Sequence, residues 1–544
     1  MQMIQLFYSC ILTNFTYIFL GKIFLKIDNN QWQKIAESAI FGTIFVSFFS
    51  LLLNFFFPLD QNINFIYLLI VIIYFFLKKI QINKKEFYFI IFSSILTFSL
   101  LTFSNINRPD AGLYHLPFTQ ILNEHKIILG LSNLHSRFGH ISIMQYLSAS
   151  NLNYITGVNG VLIPAASIAS FIYIYFSSQI IIASLNSKKI NSNIFFCLFV
   201  SFYIIYKIIN YTNFGNDDVP HLLLFYLCSQ FLLFESKIKD IQKIIILCIY
   251  IFLQKITLVL CFALPIYLIF INKFKLKNIK ILFATFFLFL WIIKNILISS
   301  CLIYPIKQTC IKNLTWNNQK QIEMASVEIE AWAKGWPENK KLELTQVEFI
   351  KNLKWLKSWN KHFTQITVIL LPYIIFLFIL IIIIKLKSKQ QTLHALSNRL
   401  SILFFMSLVG IVFSFLKFPI YRQGYSYIII LICCCSIFFI KKYNIKKLQK
   451  IFIISFYFFF VVFFVKQFHR YIYYYESRSL WPNIYSLNSQ IDKNNVKQVT
   501  LKNGFIVYQS KTECMYIKSP CTHLDISGVE DKTIHSYTLL INKK

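Results

Sequence analysis

The residues best placed to do chemistry lie in one polar run, Asn107-Arg-Pro-Asp-Ala-Gly-Leu-Tyr-His-Leu-Pro117, followed by Gly130-Leu-Ser-Asn-Leu-His-Ser-Arg-Phe-Gly139. Asp110 leads them. It follows an apolar stretch ending near Ser104, with Arg108 just before it and Tyr114 and His115 just after. A carboxylate beside a membrane span is costly to keep near hydrocarbon, so its presence needs a reason. One reason is general-base catalysis toward a hydroxyl acceptor. The other is capping of the helix that follows, a common task for Asp. Residue type and spacing leave both open.

Four further charges stand out in the same way. Asp217 and Asp218 lie in Asn213-Phe-Gly-Asn-Asp-Asp-Val-Pro220, just before another apolar run. Adjacent carboxylates there could hold a divalent cation or a second substrate hydroxyl, or simply start a helix ahead of Pro220. Lys255 interrupts an apolar stretch, where an ammonium must reach either water or an anion such as a lipid phosphate. Arg422, in Lys417-Phe-Pro-Ile-Tyr-Arg-Gln-Gly424, offers the planar fork that suits a phosphate. Zinc is not expected, because His115, His125, His135 and His140 do not share a helix face at ligand spacing. Trp316, Trp332, Trp336, Trp355 and Trp359 gather in one later polar segment, where indoles either stack on sugars or anchor a loop at the membrane interface.

These residues must be positioned by helices. Hydrophobic residues make up 56% of the chain and charged residues 14%, the composition of a polytopic membrane protein. Lys and Arg outnumber Asp and Glu by 54 to 22. The excess sits in short loops between apolar runs, as the positive-inside rule requires, and so carries no nucleic-acid reading. Apolar runs predict about fourteen spans, at 4–21, 36–57, 63–78, 86–104, 157–184, 192–210, 219–235, 241–254, 256–272, 281–300, 364–384, 399–416, 425–440 and 450–466. The basic connections then share one side, and both termini lie on the other. The stretch 241–272 reads either as two short helices meeting at a tip formed by Gln254-Lys255 or as one long span, which would reverse everything downstream and break the charge pattern. No cleavable signal peptide is expected, since the first apolar stretch has no basic leader and no small-residue cleavage site.

The side opposite the basic loops receives every unusual segment. Spans at 1–104 lead into a first large loop at 105–156, read as short helices lying apolar side down in the interface. Central spans at 157–300 follow, then a second large loop at 301–363, spans at 364–466 and a tail at 467–544. The tail reads as a small β or α/β appendage, with strands from Val496, from Gly504 and from Ser536. Eight of the 12 cysteines fall inside apolar runs. Cys301 with Cys310, and Cys514 with Cys521, fall in polar segments, where close pairs suit disulfides in an oxidising compartment or are unrelated thiols.

An acidic residue soon after a span, followed by interfacial helices, resembles the first extracytoplasmic loop of GT-C-class integral-membrane glycosyltransferases. Trp291-Ile-Ile-Lys-Asn-Ile-Leu-Ile-Ser-Ser-Cys-Leu-Ile-Tyr-Pro305 resembles the end of a span in that class, with Ser299-Ser300-Cys301 where glycine is usual. Lys417 to Gly424 resembles its late Pro-x-x-Arg loop. More narrowly, the two motifs around Asp110 and Gly130, with the tail segment Glu513-Cys-Met-Tyr-Ile-Lys-Ser-Pro-Cys-Thr522, resemble a group of bacterial multi-spanning membrane proteins. That resemblance runs from about residue 100 onward. The GT-C resemblance implies an all-α, inverting glycosyltransferase in a bacterial inner membrane. It implies a polyprenyl-phosphate-linked sugar donor and a glycan or lipid acceptor, with Asp110 as base. Arg108, Tyr114, His115, Asp217, Lys255 and Arg422 would bind substrate, and no cofactor is required beyond the divalent cation left open above. An O-antigen-type polymerase or ligase, a flippase of lipid-linked sugars, and a non-catalytic assembly protein are the competing expectations.

Overall fold

The computed structural model describes residues 2–26, 31–79, 81–102, 109–185, 191–207, 217–235, 237–274, 279–336, 345–351, 353–387, 398–440, 449–473 and 483–542. The protein is a helical membrane protein with a small β appendage. Among the described residues nine helices are long and apolar enough to cross a membrane, from Gln2–Leu25 to Tyr421–Ile440. Each remaining apolar run predicted above is also helical, including Ser192–Tyr206, Asp218–Leu233, Ile238–Gln254 and Gln449–Tyr473.

Lipid offers helices no hydrophobic drive to associate, so close packing and internal hydrogen bonds must do it. The helices Gln2–Leu25 and Trp32–Asn54 use both means. Gly21 and Gly42 face each other at their crossing, and a Cβ on either would overlap the opposite backbone. Further along, Asn14 Nδ2 donates toward Ser93, Ser94 and Thr97 of the helix Lys84–Thr102.

The stretch 241–272 forms the expected hairpin, with one difference. The helix Ile238–Gln254 ends at Lys255, whose backbone is extended, but the returning arm starts as a 3-10 segment at Ile256–Phe262 before the α-helix Ala263–Asn272. Pro265 supplies the reason. It has no N–H to give the Cys261 carbonyl, and its ring crowds that carbonyl. The freed oxygen accepts from the Cys248 thiol of the first arm at 3.4 Å.

The unusual segments meet in one layer at one end of the helices. The first large loop carries a π-helical turn at Ala111–His115 and helices at Leu116–Glu124 and Ile143–Ala149. Leu116 through Asn123 are buried all round rather than on one face, because the tail lies over them. Tyr516 Oη donates to Asn123 Oδ1 at 2.9 Å, and Ile484 N–H donates to Asn159 Oδ1 at 2.7 Å. The second loop joins the layer: Asn133 Nδ2 donates both to the Trp316 carbonyl and to the Leu540 carbonyl.

In the tail, Val496–Thr500 and Ile506–Ser510 pair antiparallel, and Cys521–Thr522 adds a short parallel strand. The predicted strand from Ser536 is present as Tyr537–Asn542, but in a separate two-stranded ribbon with Val529–Ile534. Its outer edge pairs with the first loop, since Leu129 N–H donates to the Thr538 carbonyl and Leu540 N–H to the Leu129 carbonyl. Disulfides join Cys301 to Cys310 and Cys514 to Cys521. The other described cysteines are free and buried or half-buried.

Candidate functional site

Four charges that are far apart in sequence converge beneath this layer. Asp110 arrives on the turn before Ala111–His115, and Asp217 on the first residue before the helix Asp218–Leu233. Lys255 arrives on the hairpin tip, and Arg422 at the start of the helix Tyr421–Ile440. Arg422 Nη1 lies 3.4 Å from Asp110 Oδ2 and 3.7 Å from Asp217 Oδ2. Lys255 Nζ lies 2.7 Å from Asp217 Oδ1 and donates to the Arg422 carbonyl at 2.8 Å.

This geometry bears on the capping, water and cation readings that spacing left open. Neither Asp110 nor Asp217 makes a side-chain cap to its helix, although each stands at the capping position. Both carboxylates turn toward Arg422 instead. Lys255 does not reach for water: its side chain is 7% exposed and ends on Asp217. The two oxygens of Asp217 face Lys255 and Arg422, an arrangement that does not fit a divalent cation. Among the described residues no group of three or more His, Cys, Asp or Glu is arranged to hold a metal. Arg108 lies outside the described residues.

The electrostatics follow from burial and neighbours. Burial pushes the Asp217 carboxyl up, but the Lys255 ammonium and the Arg422 guanidinium outweigh it and hold the group well below the usual carboxylate range. Burial lowers His115 to about 4 despite the pull of Asp217 and Asp110, so its imidazole is neutral at physiological pH. Burial, then the Asp110 charge, raises the Tyr114 hydroxyl, which stays protonated as a donor toward Asp110. Asp110 itself retains 43% of its side-chain surface, so it is both held and accessible.

One residue of this site carried no signal in the sequence, and another stood out only as one of five tryptophans. His221 lies inside an apolar helix. Its Nε2–H donates to the Arg422 carbonyl at 3.0 Å, and its Nδ1 accepts from Ser426 Oγ at 2.7 Å. With Lys255 on the same carbonyl, the backbone of Arg422 is clamped twice. Trp332, one of the tryptophans of the second loop, lies under the guanidinium, with Arg422 Cζ 4.8 Å from its ring. Its residue remains 47% exposed, whereas Trp355 is buried and Trp316 donates to the Ile296 carbonyl at 2.9 Å. Trp332 and Trp316 therefore do different work, one at the cleft and one in anchoring the loop.

The tail also reaches the site. Met515 N–H donates to the Gly112 carbonyl at 2.9 Å, two residues beyond Asp110. The Glu513 carboxylate and the Met515 sulfur pack directly against Gly112, and a Cβ there would push these side-chain ends aside. The Cys514–Cys521 disulfide thus fixes the segment that holds the Asp110 turn from above.

A helical membrane protein with a charged cleft under a layer of loops is the class that fold and site define. The chain belongs to the family described as Domain of unknown function (DUF8201), which matches residues 3–429. The match takes in the N-terminal helices, which the sequence resemblance did not reach, and every residue of the charged cleft, but not the tail. No curated protein matches the chain, and no solved structure does.

Proposed function

We propose that this protein is a membrane glycosyltransferase that moves a sugar from a polyprenyl-phosphate-linked donor to a glycan or lipid acceptor of the cell envelope. In this reading it crosses a bacterial inner membrane about fourteen times, with the cleft and tail outside. The observation that carries the reading is Asp110: an accessible carboxylate that caps no helix and is aimed by Arg422 at 3.4 Å.

Asp110 takes the proton of the acceptor hydroxyl as that oxygen attacks the anomeric carbon. The bond from the anomeric carbon to the carrier phosphate breaks, its electron pair leaves on phosphate, and the configuration inverts. Arg422 lies beside Asp110 and meets the negative charge that grows on the leaving group. Its Nε is buried and has no hydrogen-bond partner among the described residues. Lys255 and Asp217 hold each other, Lys255 also holds the Arg422 carbonyl and Asp217 faces its guanidinium, so they position Arg422 rather than bind the donor directly. Trp332, half-exposed under the guanidinium, offers a face for a sugar ring.

Mass spectrometry of envelope glycans and lipid-linked intermediates in a deletion strain tests this. Loss of one sugar from a finished polymer is expected. Accumulation of complete lipid-linked units would overturn the reading in favour of a polymerase, a ligase or a flippase.

A further inference from the structure

Beside the Arg422 cluster lies a second polar group that the reading above does not use. Arg137 N–H donates to His135 Nδ1 at 3.0 Å. That nitrogen is therefore the acceptor, and the neutral ring carries its proton on Nε2. Burial, then His523 and the Arg137 charge, holds His135 down to about 3, so the ring stays neutral. His135 is 3% exposed, and its Nε2–H meets no partner among the described residues. The Tyr304 hydroxyl, on a residue 4% exposed, and His140 Nε2 end in the same way. The His140 and Tyr304 rings pack edge to face with centroids 5.1 Å apart.

Arg137 acts electrostatically on all three groups, and its guanidinium lies 5.8 Å from the Tyr114 ring that adjoins Asp110. Glu328 also acts on Tyr304, but less strongly than Arg137 does. No carboxylate lies within ion-pair distance of Arg137 among the described residues. Arg422, by contrast, is shared by two carboxylates, and Lys255 is paired with one. Arg137 is thus a cation of this layer left without a carboxylate among the described residues; the buried Lys294, its Nζ 4.5 Å from the Tyr146 ring, is another. Water could satisfy the unmet donors and hydrate the half-buried guanidinium, but only an anion neutralises it. A tetrahedral oxyanion does both, since its several oxygens accept from separate donors while a guanidinium fork binds it in two places.

We propose that Arg137, the His135 Nε2–H, the Tyr304 hydroxyl and His140 form a subsite for a phosphate or pyrophosphate anion next to Asp110 and Arg422. If the protein transfers glycosyl groups, this anion is the headgroup of the lipid-linked donor, and only that identity rests on the function proposed above. The subsite would set the headgroup on one side of Tyr114 and the acceptor on the other, beside Asp110.

Binding to the full-length protein in nanodiscs tests the subsite without any transfer step. The probes are a short-chain polyprenyl phosphate, the matching pyrophosphate and inorganic pyrophosphate, titrated against wild type, Arg137→Gln, Tyr304→Phe and Asp110→Asn. Tyr304→Phe keeps the ring against His140 and removes only the hydroxyl, so it guards against a misfolded Arg137 variant. Saturable binding is expected in wild type and Asp110→Asn. Arg137→Gln should weaken it by about ten- to a hundredfold, and Tyr304→Phe by about threefold or more. Tighter binding of the lipid forms assigns the anion to a lipid headgroup. Equal binding of inorganic pyrophosphate assigns it to a free phosphate, and either result supports the subsite. Absent binding in wild type, or equal binding in wild type and both subsite variants, overturns it. Transfer by wild type with unchanged binding in Arg137→Gln would sink the subsite alone. Phosphate binding that Arg137→Gln abolishes, in a protein that transfers nothing, would sink the proposed function alone.

Discussion

The two ends of the helical bundle use the same residue types in opposite ways. At the end bearing the basic connections, Glu86 pairs with Lys22, and Glu37 lies between Lys34 and Lys243. Both glutamates are buried, at 3% and 2% exposure. At the loop-bearing end, Asp110 and Asp217 share one guanidinium at 3.4 and 3.7 Å, and their side chains are 43% and 40% exposed. The first arrangement closes its carboxylates against water and solute alike, although Lys34 itself stays 40% exposed. The second leaves two carboxylates partly free in a cleft and holds them by longer contacts. Intramembrane charge is costly at both ends, but only the second has the access that chemistry needs. Acidic residues near a membrane span are therefore not equivalent: exposure and the manner of pairing separate a structural clamp from a reactive group.

The sharpest way to break this contrast is Asp110→Asn. A partly exposed ion pair contributes less than about 1 kcal/mol, and Asp110 caps nothing, so thermal stability should scarcely change. Transfer activity should fall by about a hundredfold or more, the usual worth of a positioned base. Wild-type activity in this variant would remove Asp110 from the chemistry. Glu37→Gln should behave in the reverse manner. It leaves two lysines without their carboxylate and should cost roughly 3 kcal/mol of stability, read as a lower melting temperature in nanodiscs. Activity per folded molecule should be kept. If Glu37→Gln lost activity without losing stability, the division between the two ends would fail.

How much of this was legible in the sequence depends on the residue. Asp110, Asp217, Lys255 and Arg422 stood out because a charge beside an apolar run is costly and needs a cap, a partner or water, and the structure brings all four together. What each one contacts was not legible, since capping and ion pairing demand the same residue at the same position. His221 was silent because one His in an apolar helix reads as core. Arg137 lay in a noted motif, but the lack of a carboxylate near it among the described residues is a property of the assembled layer and not of its neighbours in sequence. In the tail, alternation revealed Val496–Thr500, Ile506–Ser510 and Tyr537–Asn542. Val529–Ile534 was missed because Glu530, Asp531 and Lys532 break the apolar pattern, and its pairing is set by Tyr537–Asn542.

The tail tests whether the loop-bearing end is held from above. Replacing Cys514 and Cys521 by Ser opens a short loop and should cost the appendage about 2–3 kcal/mol. Met515 N–H is bonded to the Gly112 carbonyl, so the loss should pass to the Asp110 turn. Activity should fall several-fold, while the pairs at the opposite end stay intact by hydrogen exchange. Unchanged activity with a loosened tail would show that the Asp110 turn needs no hold from that side.

The smallest expected effect comes from His115, and it distinguishes the two ends by pH. Its folded pKa of about 4 lies below the ordinary His value of 6.5. Between these values the unfolded chain binds a proton that the folded protein refuses, so stability rises with pH across that window. The contribution is complete above about pH 6.5 and is lost as the pH falls toward 4. One unit below the unfolded value, at about pH 5.5, the loss from this one group is about 1 kcal/mol. His115→Gln should flatten the acid limb of the melting-temperature profile by that amount and leave the neutral plateau in place. Asp217 should not contribute in this window, because Lys255 and Arg422 hold its carboxyl ionised until lower pH. An acid limb of equal slope in wild type and His115→Gln would mean that the imidazole is not buried neutral beside the two aspartates. The cleft would then be more open to water than the opposite end by a wider margin than the ion-pair exposures alone indicate.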